Sequence, residues 1–468
     1  MSANRGVLSN TAYQLIHKLI TAAGAFFVTV LVTRYLGVSG YGDYTIVFTY
    51  ITLFYVMLDF GINGVFLRDY GSSQARFAKY FSSLIVLRIL ISLVFIAISL
   101  LLLPLLSFGS SNLAQVRLAI IFGSAMILAQ GLHYSLQAGV AYEGRFDKQI
   151  WSGLAGSLLN LLLVWYGVSH NWGLVGLVAS STAGSFLAGL VLFYLLERNW
   201  YWELTWPQVT SLFKMSAAVG VSLVFNVLLT HADKFLLSFL VSSEQVGLFG
   251  LASRVFETTL VLPTFFIIAL YPVIILAKKT HIERYKSRLT WGVELSLIMA
   301  LPVCVFGYIY ANPIISLLGG ADFSRSAVIL QALLIPAVIF YLTALLRAVV
   351  VAEGKDRWLP HIYIIGFIFD FVLNLFLIRP YGVIVCAVIN GVSEGLILVL
   401  LSFVLRKTKL IKVNVHRLAG ILFSALIAGL FWWWAREWSW LLSLAIGGAL
   451  YTGLLFYLKL ITRDTLEF

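Results

Sequence analysis

Apolar residues in this chain fall into long blocks, with polar residues confined to the short intervals between them. The blocks lie at 13–33, 44–66, 81–106, 115–139, 150–168, 173–196, 214–240, 246–276, 290–311, 327–351, 360–378, 382–405, 417–435 and 440–460. A helix needs about 20 predominantly apolar residues to cross a hydrocarbon core roughly 30 Å thick, and each block meets that length. The pattern therefore predicts an all-α polytopic membrane protein with about 14 transmembrane helices, because helices satisfy their backbone hydrogen bonds internally in lipid.

The intervals alternate in charge. Of the 32 lysines and arginines, only Arg34, Arg117, Arg325, Arg379 and Arg436 fall in one alternate set of intervals, and Lys234 and Arg254 lie inside apolar runs. The remainder sit in or beside the other set, including Arg68, Arg76 and Lys79 after run 2 and Lys278, Lys279, Arg284, Lys286 and Arg288 after run 8. Cationic loops stay on the cytoplasmic side, so both termini are expected there, with the protein in the cell's inner (plasma) membrane.

Composition narrows the class further. Hydrophobic residues are 61% and charged residues 11%, with mean hydropathy +0.96; soluble domains carry about 25% charged residues, which excludes a water-soluble fold. The net charge of +12 is explained by loop retention and contact with anionic phospholipid headgroups, and nucleic acid is not expected as a partner. Cys304 and Cys386 both sit in apolar runs and read as small core residues. Met1 to Asn10 is polar and leads into a run too long for a cleavable signal. No GxxxxGK[ST] loop occurs, and no interval is long enough for a nucleotide-binding or catalytic domain, so transport driven by a gradient is expected and an enzyme is not. The histidines show no HxxxH or HExxH spacing, and neither metal nor cofactor is expected.

The chain also repeats itself at an interval of just over 200 residues. Ser39-Gly40-Tyr41-Gly42-Asp43-Tyr44 resembles Glu244-Gln245-Val246-Gly247-Leu248-Phe249. Ala141-Tyr142-Glu143-Gly144-Arg145 resembles Val351-Ala352-Glu353-Gly354-Lys355, and Leu159-Asn160-Leu161 matches Leu373-Asn374-Leu375. Trp172-Gly173-Leu174-Val175 matches Tyr381-Gly382-Val383-Ile384. Two pseudo-symmetric six-helix bundles follow, at 1–200 and 201–410, with two additional helices at 411–468. An even number of runs per bundle makes the repeats parallel, and duplicated transporters hold substrate at the repeat interface.

Arg34-Tyr35-Leu36-Gly37-Val38-Ser39-Gly40-Tyr41-Gly42-Asp43-Tyr44, followed by Asp59-Phe60-Gly61-Ile62 and Arg68, resembles the first helical hairpin of the Wzx-type polysaccharide-transport flippases. Ala269-Leu270-Tyr271-Pro272 is similar to another recurring segment there. The superfamily also holds MurJ-type lipid II flippases and MATE drug exporters. The resemblance implies two bundles with runs 1, 2, 7 and 8 around a central cavity, and translocation of a polyprenyl-pyrophosphate-linked oligosaccharide to the outer leaflet by alternating access. It also implies a glycan polymerase as a further partner. A MATE-like, ion-coupled exporter of small organic cations is the alternative; that reading prefers acidic cavity residues.

An Arg, Lys or Asp in the middle of a span costs about 2.5–3.5 kcal/mol on the insertion scale, so such residues mark candidate sites. Arg34, Lys234 and Arg254 are the candidates for contact with a diphosphate, since guanidinium and ammonium groups replace its counterions. Arg254 and Glu257 stand i, i+3 and can pair. Asp59, Glu257, Asp370 and Glu394 are the candidates for ion coupling, because burial raises a carboxyl pKa toward neutrality. Asn160 and Asn374 occupy equivalent repeat positions, which favours packing roles, and Pro263, Pro302 and Pro336 are expected to kink their helices.

Overall fold

The computed structural model describes residues 2–196, 206–406 and 414–461. The expected boundaries at 200/201 and 410/411, and the cationic residues Arg198, Lys407, Lys409, Lys412 and Arg463, lie outside the described residues. The chain divides into two compact units, Met1–Gly250 and Leu251–Phe468.

Unit 1 contains α1 (Ser2–Met57), α2 (Ile62–Tyr70), α3 (Gln74–Leu102), α4 (Leu113–Glu143), α5 (Asp147–Ser169), α6 (Gly173–Leu195), α7 (Trp206–Leu240) and the first part of α8 (Ser243–Thr259). Unit 2 continues with α9 (Val261–Thr280), α10 (Ile282–Ile309), α11 (Ala311–Gly319), α12 (Ser324–Leu334), α13 (Ala337–Ala352), α14 (Leu359–Tyr381), α15 (Ile384–Leu405), α16 (Val415–Trp434) and α17 (Trp440–Tyr457). Among the described residues there is no strand.

Twelve helical stretches are long and apolar enough to cross a bilayer, or 13 when the bent pair Ala321–Leu334 and Ala337–Ala352 counts as one span. The first stretch, Ile16–Tyr70, has 55 residues. At about 1.5 Å per residue it is more than twice as long as a roughly 30 Å core is thick, so it supplies two crossings. Gly37 separates them: its φ of 65° and ψ of −174° interrupt the helix at a geometry open mainly to glycine. About 14 crossings result, in the expected order. Between 17% and 44% of each apolar window is buried inside the protein, and the rest is apolar surface that only lipid can cover.

Proline coincides with a bend between α12 and α13. Pro336 stands between α12 and α13, whose axes turn by 44°. Pro302 lies inside the continuous helix α10, and Pro263 falls in the first turn of α9, where its missing N–H is not needed.

Unit 1 packs α5 closely on α6, α5 on α1 and α6 on α4, with α1 against α4. Its core near the α2–α3 end is aromatic: Phe66, Phe77 and Phe81 are buried together, and the Tyr142 ring stacks on Phe77 with centroids 3.8 Å apart. In unit 2, the additional helices α16 and α17 are anchored to α10 through Trp432. Its side chain is fully buried, its Nε1 donates to the Ser443 carbonyl (2.8 Å), and Tyr310 Oη donates to the carbonyls of Trp432 (3.2 Å) and Ala435 (3.0 Å).

Candidate functional site

In unit 1 the polar centre forms where the second crossing is broken. α1 ends at Met57, Phe60 (φ 41°) and Gly61 (φ 66°) take left-handed conformations, and α2 starts at Ile62. A break inside the membrane frees backbone carbonyls that lipid cannot satisfy. Arg88 of α3 fills the gap. It is fully buried, and its guanidinium donates to the Leu58 carbonyl and to Asn63 Oδ1 (2.8 Å). Asp59 Oδ1 stands 3.8 Å away with its side chain 48% exposed, and the Tyr134 ring lies under the guanidinium at 5.7 Å. Asn63 Nδ2 in turn donates to the Tyr134 carbonyl (2.7 Å). The ring of the strained Phe60 sits where a Cβ on Gly220 of α7 would be, 2.3 Å from that position.

Toward Arg34, the stretch of α1 that follows the Gly37 break meets the start of α8. A Cβ on Gly42 would fall 1.7 Å from the Ser243 carbonyl oxygen, and one on Gly247 would fall 2.2 Å from the Val38 carbonyl oxygen. Only glycine permits this approach from either side. Ser243 Oγ donates to Asp43 Oδ1 (2.7 Å), both groups being buried, while the Ser243 N–H donates to the Gly109 carbonyl (2.9 Å).

Unit 2 carries one cluster of polar groups on the three adjacent helices α13, α14 and α15. Glu394 of α15 accepts from Arg347 Nη2 (2.7 Å) and from the Thr343 hydroxyl of α13, and the Arg347 guanidinium lies over the Tyr363 ring at 5.7 Å. One residue earlier, Ser393 Oγ donates to Asp370 Oδ1 of α14 (3.0 Å). Asn374 Nδ2 donates to Asp370 Oδ2 (2.9 Å), and the buried Asn374 Oδ1 has no hydrogen-bond donor among the described residues. At the polar ends of the spans, Glu353 accepts from Tyr285 Oη (2.7 Å) and pairs with Lys278 (2.9 Å). Burial pushes the Glu353 carboxyl up, but the hydrogen bonds from Lys278 and Tyr285 outweigh it and hold the group below its usual range.

The candidates read from the sequence separate into distinct settings. Arg34 is exposed on α1, Lys234 is half-buried on α7, Arg254 is exposed on α8 and Glu257 is half-buried there. No ion pair joins Arg254 to Glu257 among the described residues. Asp59 stands beside Arg88, Glu394 is held by Arg347, and Asp370 is met by an amide and a hydroxyl. Asn160 Oδ1 accepts from Ser181 (3.2 Å), so it joins α5 to α6, and Asn374 likewise serves neighbouring helices through Asp370. Arg88 and Arg347 were not among the cations assigned to the diphosphate, although Arg88 joins Leu58, Asn63 and Asp59 and Arg347 holds Glu394. Both stand toward the ends of their apolar runs, where a cation reads as a loop-side charge.

Similar architectures define the class. The chain superposes on the lipid II flippase MurJ in an inward closed conformation over 96% of this chain and 100% of that one, with a TM-score of 0.81 and 17% identity. An inward-facing MATE family multidrug transporter of the MOP superfamily matches with a TM-score of 0.62 and 14% identity, over 85% of this chain and 98% of that one. The fold is that of a multi-pass membrane transporter.

Residues 7–278 match the family described as polysaccharide biosynthesis protein, and the chain belongs to that family. Among curated relatives, a putative O-antigen transporter of Shigella dysenteriae is 24% identical over 382 residues, covering 76% of this chain and 89% of that protein. A probable flippase, AglR, of Haloferax volcanii is 25% identical over 256 residues, covering 53% of this chain and 52% of that protein.

Proposed function

We propose that this protein carries a polyprenyl-(pyro)phosphate-linked oligosaccharide from the cytoplasmic to the outer leaflet by alternating access, for assembly of a surface polysaccharide such as O-antigen. The observation that carries the reading is the family match over residues 7–278 together with a MurJ-like fold over 96% of the chain. The relatives are named as a transporter and a flippase, which supports transport without chemistry on the substrate. The Lys/Arg asymmetry supports an inner-membrane location with both termini cytoplasmic. The division into two six-helix bundles with two additional helices belongs to the same reading.

Arg34, Lys234 and Arg254 remain the groups assigned to the diphosphate, with Arg254 the strongest since it makes no ion pair among the described residues. Of the carboxylates, Asp59 is the best coupling group: its side chain is 48% exposed, whereas Glu394 is neutralised by Arg347.

Deleting the gene in its native host should remove a surface glycan and leave its undecaprenyl-linked unit on the cytoplasmic side. Arg254→Gln should lower glycan display without lowering the amount of protein in the membrane. Unchanged glycan display in the deletion strain, with new sensitivity to cationic dyes, would overturn this function in favour of a MATE-like exporter.

A further inference from the structure

Unit 2 holds a cavity of about 760 Å³ that none of the transport groups line. It lies between the start of α10 and the start of α16. Glu283, Lys286, Thr290 and Glu294 line it from α10 at helical spacing, and His416 and Arg417 face them from α16. Its volume falls within the range of about 300–1,000 Å³ common for small-ligand sites.

The charges are arranged in pairs at two levels. Near the mouth, Lys286 pairs with Glu283 at 2.8 Å. Deeper, in the first turn of the apolar run, Arg417 pairs with the buried Glu294 at 2.9 Å and donates to the Leu460 carbonyl at 2.6 Å. Each level therefore presents both signs. A simple anion would meet two carboxylates, and a simple cation would meet an ammonium and a guanidinium. A ligand carrying a positive and a negative group a few bonds apart complements both levels.

A second observation extends the site. Further along, the same two helices, with Leu334 and Val338 of α12 and α13, line a separate apolar groove of about 530 Å³, to which α10 gives Leu301 and Val305 and α16 gives Leu422 and Gly429. On α16 the groove begins five residues past Arg417, which is about 8 Å of helix rise. A two-signed polar pocket at the cytoplasmic level, followed along the same helix pair by an apolar groove, has the polarity profile of a phospholipid.

We propose that α10 and α16 form a specific site for an inner-leaflet phospholipid with a phosphoethanolamine headgroup. Arg417 and Lys286 hold the phosphodiester, the carboxylates of Glu283 and Glu294 take the primary ammonium, the Thr290 hydroxyl adds a hydrogen bond, and one acyl chain lies in the groove. A primary ammonium has N–H donors for the two carboxylates, and a quaternary choline has none, so the site discriminates between two zwitterions of the same net charge. The site stands whether or not the transport reading is correct.

Delipidated protein in detergent, titrated with phosphatidylethanolamine, phosphatidylcholine and phosphatidylglycerol of matched chains and read by native mass spectrometry, tests this. The wild type should retain phosphatidylethanolamine about tenfold more tightly than phosphatidylcholine, the scale of one good charge-assisted hydrogen bond. Glu283→Gln with Thr290→Val should shrink that preference to about twofold or less. Gly429→Leu, which fills the groove and leaves the charges alone, should weaken all three lipids. Equal retention of the three lipids by the wild type, or a preference untouched by these variants, would overturn the site. Full competition by inorganic phosphate or glycerophosphoethanolamine alone would assign the cavity to a soluble ligand and overturn it as a lipid site.

Discussion

Arg88→Met removes the guanidinium that closes the broken second crossing and keeps most of the side-chain volume. Two acceptors then lose a donor: the Leu58 carbonyl, in a residue with no exposure, and the Oδ1 of the half-buried Asn63. An unsatisfied buried polar group costs about 1–3 kcal/mol, and Met limits any cavity contribution. The Asp59 pair adds little, because its atoms are 3.8 Å apart and the carboxylate is 48% exposed; such pairs contribute about 0–1 kcal/mol. The expected loss is therefore about 2–4 kcal/mol for Arg88→Met and under about 1 kcal/mol for Asp59→Asn. Equilibrium unfolding in mixed detergent micelles, followed by tryptophan fluorescence, measures both. Arg88→Lys should recover only part of the loss, since one ammonium cannot fork between the Leu58 carbonyl and Asn63. If Asp59→Asn destabilises as much as Arg88→Met, the helix-closing role is wrong and the ion pair is what matters.

Further outcomes follow from the same geometry. Gly42→Ala and Gly247→Ala each place a Cβ within 2.2 Å of a backbone oxygen and should reduce the yield of monodisperse protein on size exclusion, whereas Gly64→Ala, with nothing within 4 Å, should not. Trp432→Ala should cost about 3–5 kcal/mol and loosen α16 and α17 from α10, read as faster proteolysis of the C-terminal segment. The Glu353 carboxyl is depressed in the folded protein, so its stabilising effect is complete above the unfolded value of about 4.3 and is lost as pH falls through the lower folded value. Glu353→Gln should accordingly flatten the acid limb of a stability–pH curve below about pH 4.5 and leave its neutral region displaced downward.

The crossings were legible because hydropathy and loop charge are summed over many residues, and no tertiary detail is needed to read them. Gly37 shows where that reading runs short. Runs 13–33 and 44–66 are distinct in the sequence, but only backbone geometry reveals that a single residue separates two otherwise continuous helices. The Asp59-Phe60-Gly61 segment was visible as a motif, but its meaning depends on Arg88, which comes from another helix and is read from the orphaned Leu58 carbonyl. Asp370 and Glu394 look alike as isolated acids in apolar runs. Their partners distinguish them: α13 gives Glu394 a guanidinium and a hydroxyl, whereas Asp370 has an amide from its own helix and a hydroxyl from α15. At Pro302 the carbonyl freed four residues earlier, that of Ile298, accepts from Tyr451 Oη of α17 (3.0 Å), a partner that the sequence around Pro302 does not reveal.

The meeting of Gly42 with Ser243 and of Gly247 with Val38 is reciprocal: residues 42 and 247, and residues 38 and 243, are separated by the same interval along the chain. A self-complementary patch of this kind is what two copies of one polypeptide present across a two-fold axis. A single-repeat ancestor could have held itself together there as a homodimer before its gene was duplicated and fused. The hydrogen bond from Ser243 to Asp43 has no counterpart, because Val38 and Leu248 stand in the mirror positions. Fusion releases two halves from having to change together, and this contact is one place where they now differ.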